Sequence, residues 1–489
     1  MKAWGIAALS HDASLAVVDD GRILFAAHAE RYSRVKNDPL LNDGILAEAL
    51  QYGAPDVIAW YERPIRKKLR HLRAGQFQYA VSTRDIPSRY LARLGLPFRL
   101  PPVVSVDHHL AHAMAGFATS DFTDAAVIVA DAIGEFTTFT IGEFRPDGSF
   151  TARHRLAYPH SLGLLYSAFT RRCGFRPNED EYIVMGMAAV GEPRYVNDIY
   201  EDFVELAPPT FRLRRNVHRG IGDWRPGARQ QDLAASIQTV TEEIMLNAAR
   251  WAHDVLGARR LVLMGGVALN CTANSRIAEE QLFDGIWIFP NPGDAGSSVG
   301  AAAAVAGGKL AWEGPYLGTD ISGPYAIDEA LRELRSGGIV GVANGRAEFG
   351  PRALGNRSLL ADPRPADMKD RVNRVKGREP FRPFAPVIRE DRAPDFFVLP
   401  DACTAFMQFT AQCRFPHQFP AVVHSNGSSR VQTVSSGQHP QLFTLLTRWE
   451  AETGCPMLLN TSLNSRGEPI VNDWGDASRL AAREEIPVY

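Results

Sequence analysis

The sequence has little cysteine, little lysine, no excess of either charge and no long apolar run. Its five cysteines among 489 residues (Cys173, Cys271, Cys403, Cys413, Cys455) are odd in number and form no C-x-x-C pair. A disulfide framework and a thiolate zinc site are therefore both unsupported. Apolar stretches such as 261–269 and 300–306 fall short of the roughly 20 residues that span a bilayer. The opening MKAWGIAALSHDAS lacks the apolar core and cleavage site of a secretory signal. The expectation is a soluble, cytoplasmic protein. With 53 Lys+Arg against 55 Asp+Glu the formal charge is -2, so the total does not mark a wholesale polyanion binder, although local patches stay open. Only seven of those bases are lysines, so a lysine inside a motif stands out. At 45% hydrophobic and 22% charged residues the chain can bury a sizeable core. Its length suggests roughly three units of about 150 residues.

The first thirty residues read as strand, turn, strand, turn, strand, over 3–9, 14–18 and 23–27, with Asp19-Asp20-Gly21 as a hairpin signal. The pattern returns at 125–130, 137–143 and 150–157. Each block carries an aspartate in a polar turn after its first strand, Ser10-His11-Asp12 and Asp131-Ala132-Ile133-Gly134. This repeated meander resembles the duplicated actin/Hsp70/sugar-kinase α/β architecture, in which the two turns face each other across a cleft. Residues 230–256 have the apolar spacing of a long amphipathic helix. Residues 261–267 read as a buried strand ending in a glycine pair, and 295–307 as a closely packed helix. A Gly- and Pro-rich stretch at 306–325 breaks the periodicity and separates a unit over 1–315 from an Arg- and Pro-rich unit over 326–489.

The sharpest chemical signal is Asp107-His108-His109-Leu110-Ala111-His112. On a helix, residues four apart share a face, so His108 and His112 can offer two imidazoles to one ion. Asp131 and Asp294 are the candidates for the remaining ligands. Imidazole with carboxylate suits Fe(II), Zn(II) or Mn(II) better than Ca(II). The plainer alternative is a pair of core histidines. Gly265-Gly266 before Asn270 would let a ligand approach the backbone at a helix N-terminus, or simply allow tight packing. In the second unit Arg346, the block GPRALGNRS with Arg352, Lys376-Gly377-Arg378-Glu379-Pro380-Phe381-Arg382-Pro383-Phe384, Arg430 and Ser462-Leu463-Asn464 put basic and polar groups on loops stiffened by Pro and Gly. That arrangement suits phosphates and a carboxylate-like group; a solvated basic surface is the alternative.

The order His11-Asp12-Ala13, Glu30-Arg31, the histidine run, Asp131, GGVALN, NPGDAGSSVGAA, EFGPRALGNRSLLADPR, VKGREPFRPFAP and NTSLNSRGEPIV is similar to that of the O-carbamoyltransferases of the nodulation-protein-U, cephamycin and tobramycin group. The resemblance spans almost the whole chain. It implies an N-terminal actin-like domain of the threonylcarbamoyl-transfer type and a C-terminal YrdC-like domain with a twisted mixed sheet. It implies ATP as co-substrate and carbamoyl phosphate as donor, converted to carbamoyl-adenylate in the second unit. There Lys376, Arg378, Arg382, Arg430, Ser462 and Asn464 would neutralise phosphates, and Arg352 would hold the donor or nucleotide. The carbamoyl group would pass to an acceptor alcohol in the first unit. His108, His112, Asp131 and Asp294 would hold Fe(II) or another divalent ion (Mn, Zn, Mg), while Gly134, Gly265, Gly266 and Asn270 would cradle the nucleotide. His11 would serve as general base, its ordinary pKa of about 6.5 being suited to that role. Two stretches depart from the pattern, Glu179 to Gly186, where Ile183 stands near an expected lysine, and His424-Ser425-Asn426-Gly427-Ser428, where an amide replaces a carboxylate. The end at IPVY also comes earlier than expected.

Acceptors in this group include sugars, aminoglycosides, macrolactams and a hydroxymethylated DNA base. Two basic clusters favour 5-hydroxymethylcytosine in DNA over a small natural product. Residues 61–73 carry Arg63, Arg66, Lys67, Lys68, Arg70 and Arg73. Residues 211–229 carry Arg212, Arg214, Arg215, Arg219, Arg225 and Arg229, with Phe211 and Trp224 as candidate stacking surfaces. A solvated helix face is the alternative for the first cluster. An actin-fold kinase is a weaker reading of the whole, because it leaves the second unit without a purpose, and an oligomer is compatible with all of these readings.

Overall fold

A computed structural model describes residues 1–489 apart from 74, 84, 85, 380, 381, 383, 401 and 403. Cys403 and, within the block from Lys376, Pro380, Phe381 and Pro383 thus lie outside the described residues. The chain is a mixed α/β fold. Its first three hundred residues build two five-stranded sheets with one wiring. The first runs Arg22–His28, Ser14–Asp19, Lys2–Ala7, Val57–Trp60, Val103–Ser105; the second runs Phe150–Ala157, Thr137–Phe144, Ala125–Gly134, Arg260–Met264, Gly285–Trp287. In both, the first three strands in sequence form an antiparallel meander and the last two run parallel to the first.

The meanders expected from the alternation are present, with one correction. Asp131 lies within the strand Ala125–Gly134, not in a turn beyond it. The pairing with the next strand is broken between Ala130 and Gly134. Such an irregularity re-aims side chains locally, and here it turns Asp131 toward the space between the sheets. The strand Arg260–Met264 also stops earlier than the apolar run suggests. Gly265 has a φ of 87°, which ends the extended chain and starts the turn Gly266–Leu269. The helix expected at 230–256 is Gln230–Leu256, ended by Gly257 in the left-handed region.

Each sheet's fifth strand leads into a helix, His108–Thr119 from the first and Ser297–Ala306 from the second. These two almost fully buried helices pack on each other between the sheets. Small residues make the approach possible. A Cβ on Gly300 would fall 1.8 Å from the Ala111 carbonyl oxygen, and one on Gly5 would fall 1.8 Å from that of Ser298. Because both helices begin at the same edge, His108, His112 and Asp294 start beside each other.

The third five-stranded sheet is mixed, in the order Ile339–Ala343, Arg357–Ala361, Met457–Ser462, Ala385–Arg389, Gln432–Val434, with only the last pair parallel. The Gly- and Pro-rich stretch before it contains the strand Tyr316–Ile321, paired antiparallel with Gly345–Glu348. Leu317 and Phe349 join the core of Val129 and Met264, and Phe409 joins that of Phe169 and Ile237, so apolar side chains from late in the sequence complete cores begun early. Among the described residues no helix is long and apolar enough to cross a membrane.

A side chain at Gly300 must push the two central helices apart. Gly300→Val is expected to cost about 2 kcal/mol or more and to lower Tm in a thermal melt. Gly293→Ala, whose Cβ would meet nothing within 4 Å, should leave Tm nearly unchanged.

Candidate active site

Asp107 caps the helix His108–Thr119 by accepting from the Leu110 N–H at 3.2 Å, and the first turn carries the histidines inward. His108 Nε2 lies 3.3 Å from Asp131 Oδ2 and 3.5 Å from Asp294 Oδ1. His112 Nε2 lies 3.3 Å from the same Asp294 oxygen. One ligand atom from each of these four residues can be chosen so that all lie within 4.8 Å of one another. The two Nε2 atoms are only 3.2 Å apart. His112 Nδ1 is 3.1 Å from the Pro292 carbonyl oxygen; donating its N–H there leaves the lone pair on Nε2. Two imidazole nitrogens and two carboxylates aimed at one point fit a divalent cation, and the donor set suits Fe(II), Zn(II) or Mn(II) better than Mg(II).

The electrostatics say the same thing in the language of protons. Burial opposes charge on His108, but Asp294 and Asp131 overcome it and raise its pKa well above the ordinary value. Burial likewise opposes ionisation of Asp294, yet His108 and His112 hold it well below the usual carboxylate range. His109 faces the other way, with Nδ1 2.8 Å from Thr140 Oγ1. Burial and the two neighbouring imidazoles push its pKa well down, and it is a core residue.

Around this centre the expected nucleotide cradle is only partly present. Gly266 and Asn270 line the cavity. Asn270 exchanges two amide hydrogen bonds with Gln238, both at 2.9 Å. Gly134 and Gly265 are not part of that wall, and their roles are corrected. A Cβ on Gly134 would fall 2.0 Å from the His108 ring, and one on Gly265 would fall 2.2 Å from the Ala130 carbonyl oxygen. Both glycines make room for other parts of the protein. His11 does reach the cavity, with Nδ1 3.0 Å from Asp12 Oδ2. Burial disfavours its charge, but Asp12 and Asp294 prevail and raise its pKa to about 9. The raised pKa favours the protonated ring, whereas the expected general base needs the neutral one; a cation among the four residues would offset Asp294 and lower it.

The second half contributes a wall of cations. Lys376, at the end of the helix Met368–Val375, is buried and among the described residues donates only to neutral oxygens: the Ser462 carbonyl at 2.5 Å, the Asn464 carbonyl at 2.9 Å, Asn464 Oδ1 at 2.8 Å and Ser462 Oγ at 3.2 Å. Arg378 donates to Asn373 Oδ1 at 2.7 Å and lies over the Phe384 ring. Arg382 lies over the Tyr182 ring. Arg352 and Arg430 make no ion pair among the described residues, and Arg430 Nε is buried without a partner. Burial first, then the neighbouring like charges, push Lys376 and Arg378 well down, and Arg352 to about 9. Removing water and crowding like charges both penalise the charged form, and an arriving anion relieves both. Arg346, by contrast, donates to the backbone carbonyls of Leu24, Leu317 and Gly318 and is structural.

One cavity of about 1260 Å³ joins the two regions, with His11, Asp131 and Asp294 in the same wall system as Arg352, Lys376 and Arg430. Lys36, Tyr182 and Gln238 also line it, and sequence reading passed them over. Only Lys36 had a usable signal, the scarcity of lysine. Asn426 accepts from the Ser428 hydroxyl at 2.8 Å, so the departure at that stretch is used to hold its own turn.

The two basic clusters are mostly committed within the protein. Lys67 is buried and paired with Glu62 at 2.7 Å, Arg66 with Asp107 at 3.1 Å, Arg225 with Asp198 at 3.0 Å, and Arg229 with Asp232 at 4.0 Å. Phe211 is fully buried. Trp224 packs edge-on against Phe169 and Phe203 and donates to Asp202 at 2.7 Å. Phe211 is closed to a base, whereas Trp224 is half-buried and held edge-on by its neighbours.

The cavity sets four candidate metal ligands beside convergent cations, and sequence comparison gives the class. Residues 71–303 match the family described as Carbamoyltransferase N-terminus, and residues 331–489 match Carbamoyltransferase C-terminus. The chain belongs to the carbamoyltransferase family and is a carbamoyltransferase. Similar proteins include the uncharacterized protein sll1178 of Synechocystis, 36% identical over 99% of this chain and 94% of the relative. Nodulation protein NolNO of Sinorhizobium fredii is 33% identical over 96% of this chain and 76% of the relative. Nodulation protein U of Rhizobium tropici is 30% identical over 96% and 92%. Among solved structures, full-length HypF in its phosphate- and nucleotide-bound form is 15% identical, with a TM-score of 0.36 over 62% of this chain and 46% of that one.

The raised pKa of His108 sets protons against a metal at the same nitrogen, so metal binding should strengthen as pH rises, compared at about pH 6 and about pH 8. Titration with Zn(II) or Mn(II) at the two pH values checks the sign. The double variant His108→Ala, His112→Ala should bind neither ion at either pH.

Proposed function

We propose that this carbamoyltransferase is ATP-dependent, takes carbamoyl phosphate as donor and carbamoylates the hydroxyl of a small acceptor by way of carbamoyl-adenylate. In outline, carbamoyl phosphate, ATP and water give carbamoyl-adenylate, phosphate and pyrophosphate; the acceptor hydroxyl then takes the carbamoyl group and AMP leaves. The observation that carries this reading is the single cavity shared by the cation wall and the four-ligand centre. A reactive mixed anhydride made at one end can reach the other within the one cavity. The repeated sheet wiring supports an actin-like first unit over 1–315, and the mixed sheet supports a YrdC-like second unit over 326–489.

In this reading Arg352, Lys376, Arg378, Arg382 and Arg430 hold the donor and the polyphosphate, with Ser462 and Asn464 positioning the Lys376 ammonium. Gly266 and Asn270 border the nucleotide. His108, His112, Asp131 and Asp294 would hold a divalent metal, which when bound supplies positive charge beside phosphate oxygens. His11 stands at the junction as the group that exchanges a proton with the acceptor. Its starting charge makes that exchange depend on how much of Asp294's field is neutralised.

The acceptor is a small-molecule hydroxyl such as that of a sugar, an aminoglycoside or another natural product. 5-Hydroxymethylcytosine in DNA loses support, because half of the bases that favoured it (Arg63, Arg66, Lys67, Arg214, Arg225 and Arg229) are paired with acids, Phe211 is buried and Trp224 packs against the core. A weak dependence of transfer on ionic strength is expected; a steep loss from low to physiological salt would restore DNA.

Product analysis separates this reading from an actin-fold kinase: carbamoyl phosphate should stimulate release of AMP, not ADP. Mass spectrometry over a panel of hydroxylated acceptors should find a gain of one carbamoyl unit. Lys376→Ala should abolish ATP–pyrophosphate exchange, whereas the double variant at His108 and His112 should keep the exchange and lose transfer. Normal exchange in the lysine variant would overturn this division of labour.

A further inference from the structure

The helix Pro64–Arg73 is fastened beside the four-ligand centre by its first bases. Arg66 donates to Asp107, the cap of the histidine helix, at 3.1 Å. Lys67 donates to Glu62 at 2.7 Å and to the Leu9 carbonyl oxygen at 3.3 Å, next to the turn that carries His11. Arg70 follows Arg66 by four residues and so shares its face of the helix. Among the described residues Arg70 makes no ion pair, and it is the one base of 61–73 that lines the cavity.

Arg70 is nevertheless held in place. Its Nη2 lies 2.9 Å from His71 Nε2, and His71 Nδ1 lies 2.6 Å from Gln76 Oε1. A guanidinium can only donate, so Nε2 accepts and the neutral ring donates from Nδ1 to the amide oxygen. His71 and Gln76 line the cavity as well. This relay orients the guanidinium and leaves its charge unspent. Burial lowers the Arg70 pKa, and Glu62, Tyr158 and Tyr61 are near enough to oppose that. The Tyr61 ring in turn lies 5.2 Å from that of His108, which places Arg70 within a few side chains of the four-ligand centre. Burial first, then the Arg70 charge, lower the pKa of His218, another residue of the cavity wall.

A half-buried guanidinium that faces a substrate cavity without an acid is matched by a carboxylate or a phosphate, each of which can meet its planar fork at two points. A neutral hydroxyl answers it less strongly, and an ammonium group is repelled by it.

We propose that Arg70 selects the acceptor: the small molecule that receives the carbamoyl group carries a carboxylate or a phosphate, and Arg70 binds that group. This rests on the reading above of a small acceptor hydroxyl and deepens it, narrowing the acceptor from any small alcohol to an acidic one. An aminoglycoside, with its several ammonium groups, is disfavoured at this wall.

Matched acceptors that differ by one acid group test this with the full-length protein, carbamoyl phosphate and ATP. Glucose is set against glucuronate and a glucose phosphate, and glycerol against glycerate and a glycerol phosphate, with carbamoylated product quantified by mass spectrometry. In at least one set kcat/KM is expected to be about ten-fold or more higher for an acidic member than for its neutral partner. The carboxylate and phosphate arms show which acid is read. Arg70→Gln keeps an N–H donor and removes the charge. It should lower the acidic member's kcat/KM about ten-fold and the neutral member's by less than about three-fold, while Arg70→Lys should keep most of the preference. Equal losses for both members overturn the proposal, because they mark a structural role. So does a wild type that transfers to no acid, or that prefers a neutral alcohol, an aminoglycoside or hydroxymethylated DNA to every acid tested. ATP–pyrophosphate exchange by the wild type separates the two levels. With exchange intact, these outcomes remove the acidic acceptor alone; without it, the ATP-dependent reading falls as well.

Discussion

Several cations buried near one another, with neutral oxygens and aromatic rings for company, carry a free-energy cost that an apo protein tolerates only in a stiff framework. Lys376 is held by four oxygens of Ser462 and Asn464, none of them a carboxylate. Nearby acids such as Glu379 reach only the edge of the cluster, 3.5 Å from Arg382. The loops keep this arrangement because their backbones are fixed from behind. Glu348 accepts from the N–H groups of Leu354, Asn356 and Arg357, and Arg357, fully buried, donates to a ring of carbonyls. A framework that spends its own charges on backbone can leave others poised for substrate.

The opposite balance governs the four-ligand centre. There two carboxylates lie against two imidazoles, a donor set that would accept a divalent cation with little movement of heavy atoms. The geometry follows from the repeated sheet wiring. Each repeat ends in a helix, the two helices meet through glycine and alanine, and their first turns bring the histidines of one against Asp294 of the other. A larger residue at Gly300 would disturb the centre without touching any of the four residues, and one at Gly134 would press directly on the His108 ring.

One continuous cavity gives these two balances a common purpose. Its ends differ in sign as well as in chemistry, positive at the loops of the mixed sheet and ligand-rich at the helix turns. A negatively charged phosphoanhydride would be attracted at one end, and a metal held by the four residues would attract it at the other. Residues 30–37 bridge the two halves through the hydrogen bonds of Arg31 and Arg34.

Much of this could be read from residue order alone. The alternating strands of both meanders, the helix Gln230–Leu256 and the shared face of His108 and His112 are local patterns of period and spacing, so the sequence by itself determined them, whereas the approach of Asp131 and Asp294 to that face is tertiary. The rarity of lysine, which singled out Lys376, was likewise legible in the sequence. Other features depend on what lies across space, and these only the tertiary structure decided. Gly134 and Gly265 read as ligand-facing because a glycine's neighbours are invisible in sequence; both prove to make room for His108 and Ala130. Phe211 and Trp224 read as exposed because they lie among arginines, yet the core of the first half claims them. The bases at 61–73 read as a surface patch because their partners Asp107 and Glu135 are distant along the chain. Periodicity reports the conformation of a segment, whereas burial, ion pairing and the joining of two half-sites into one cavity are set by contacts between segments that no local pattern records.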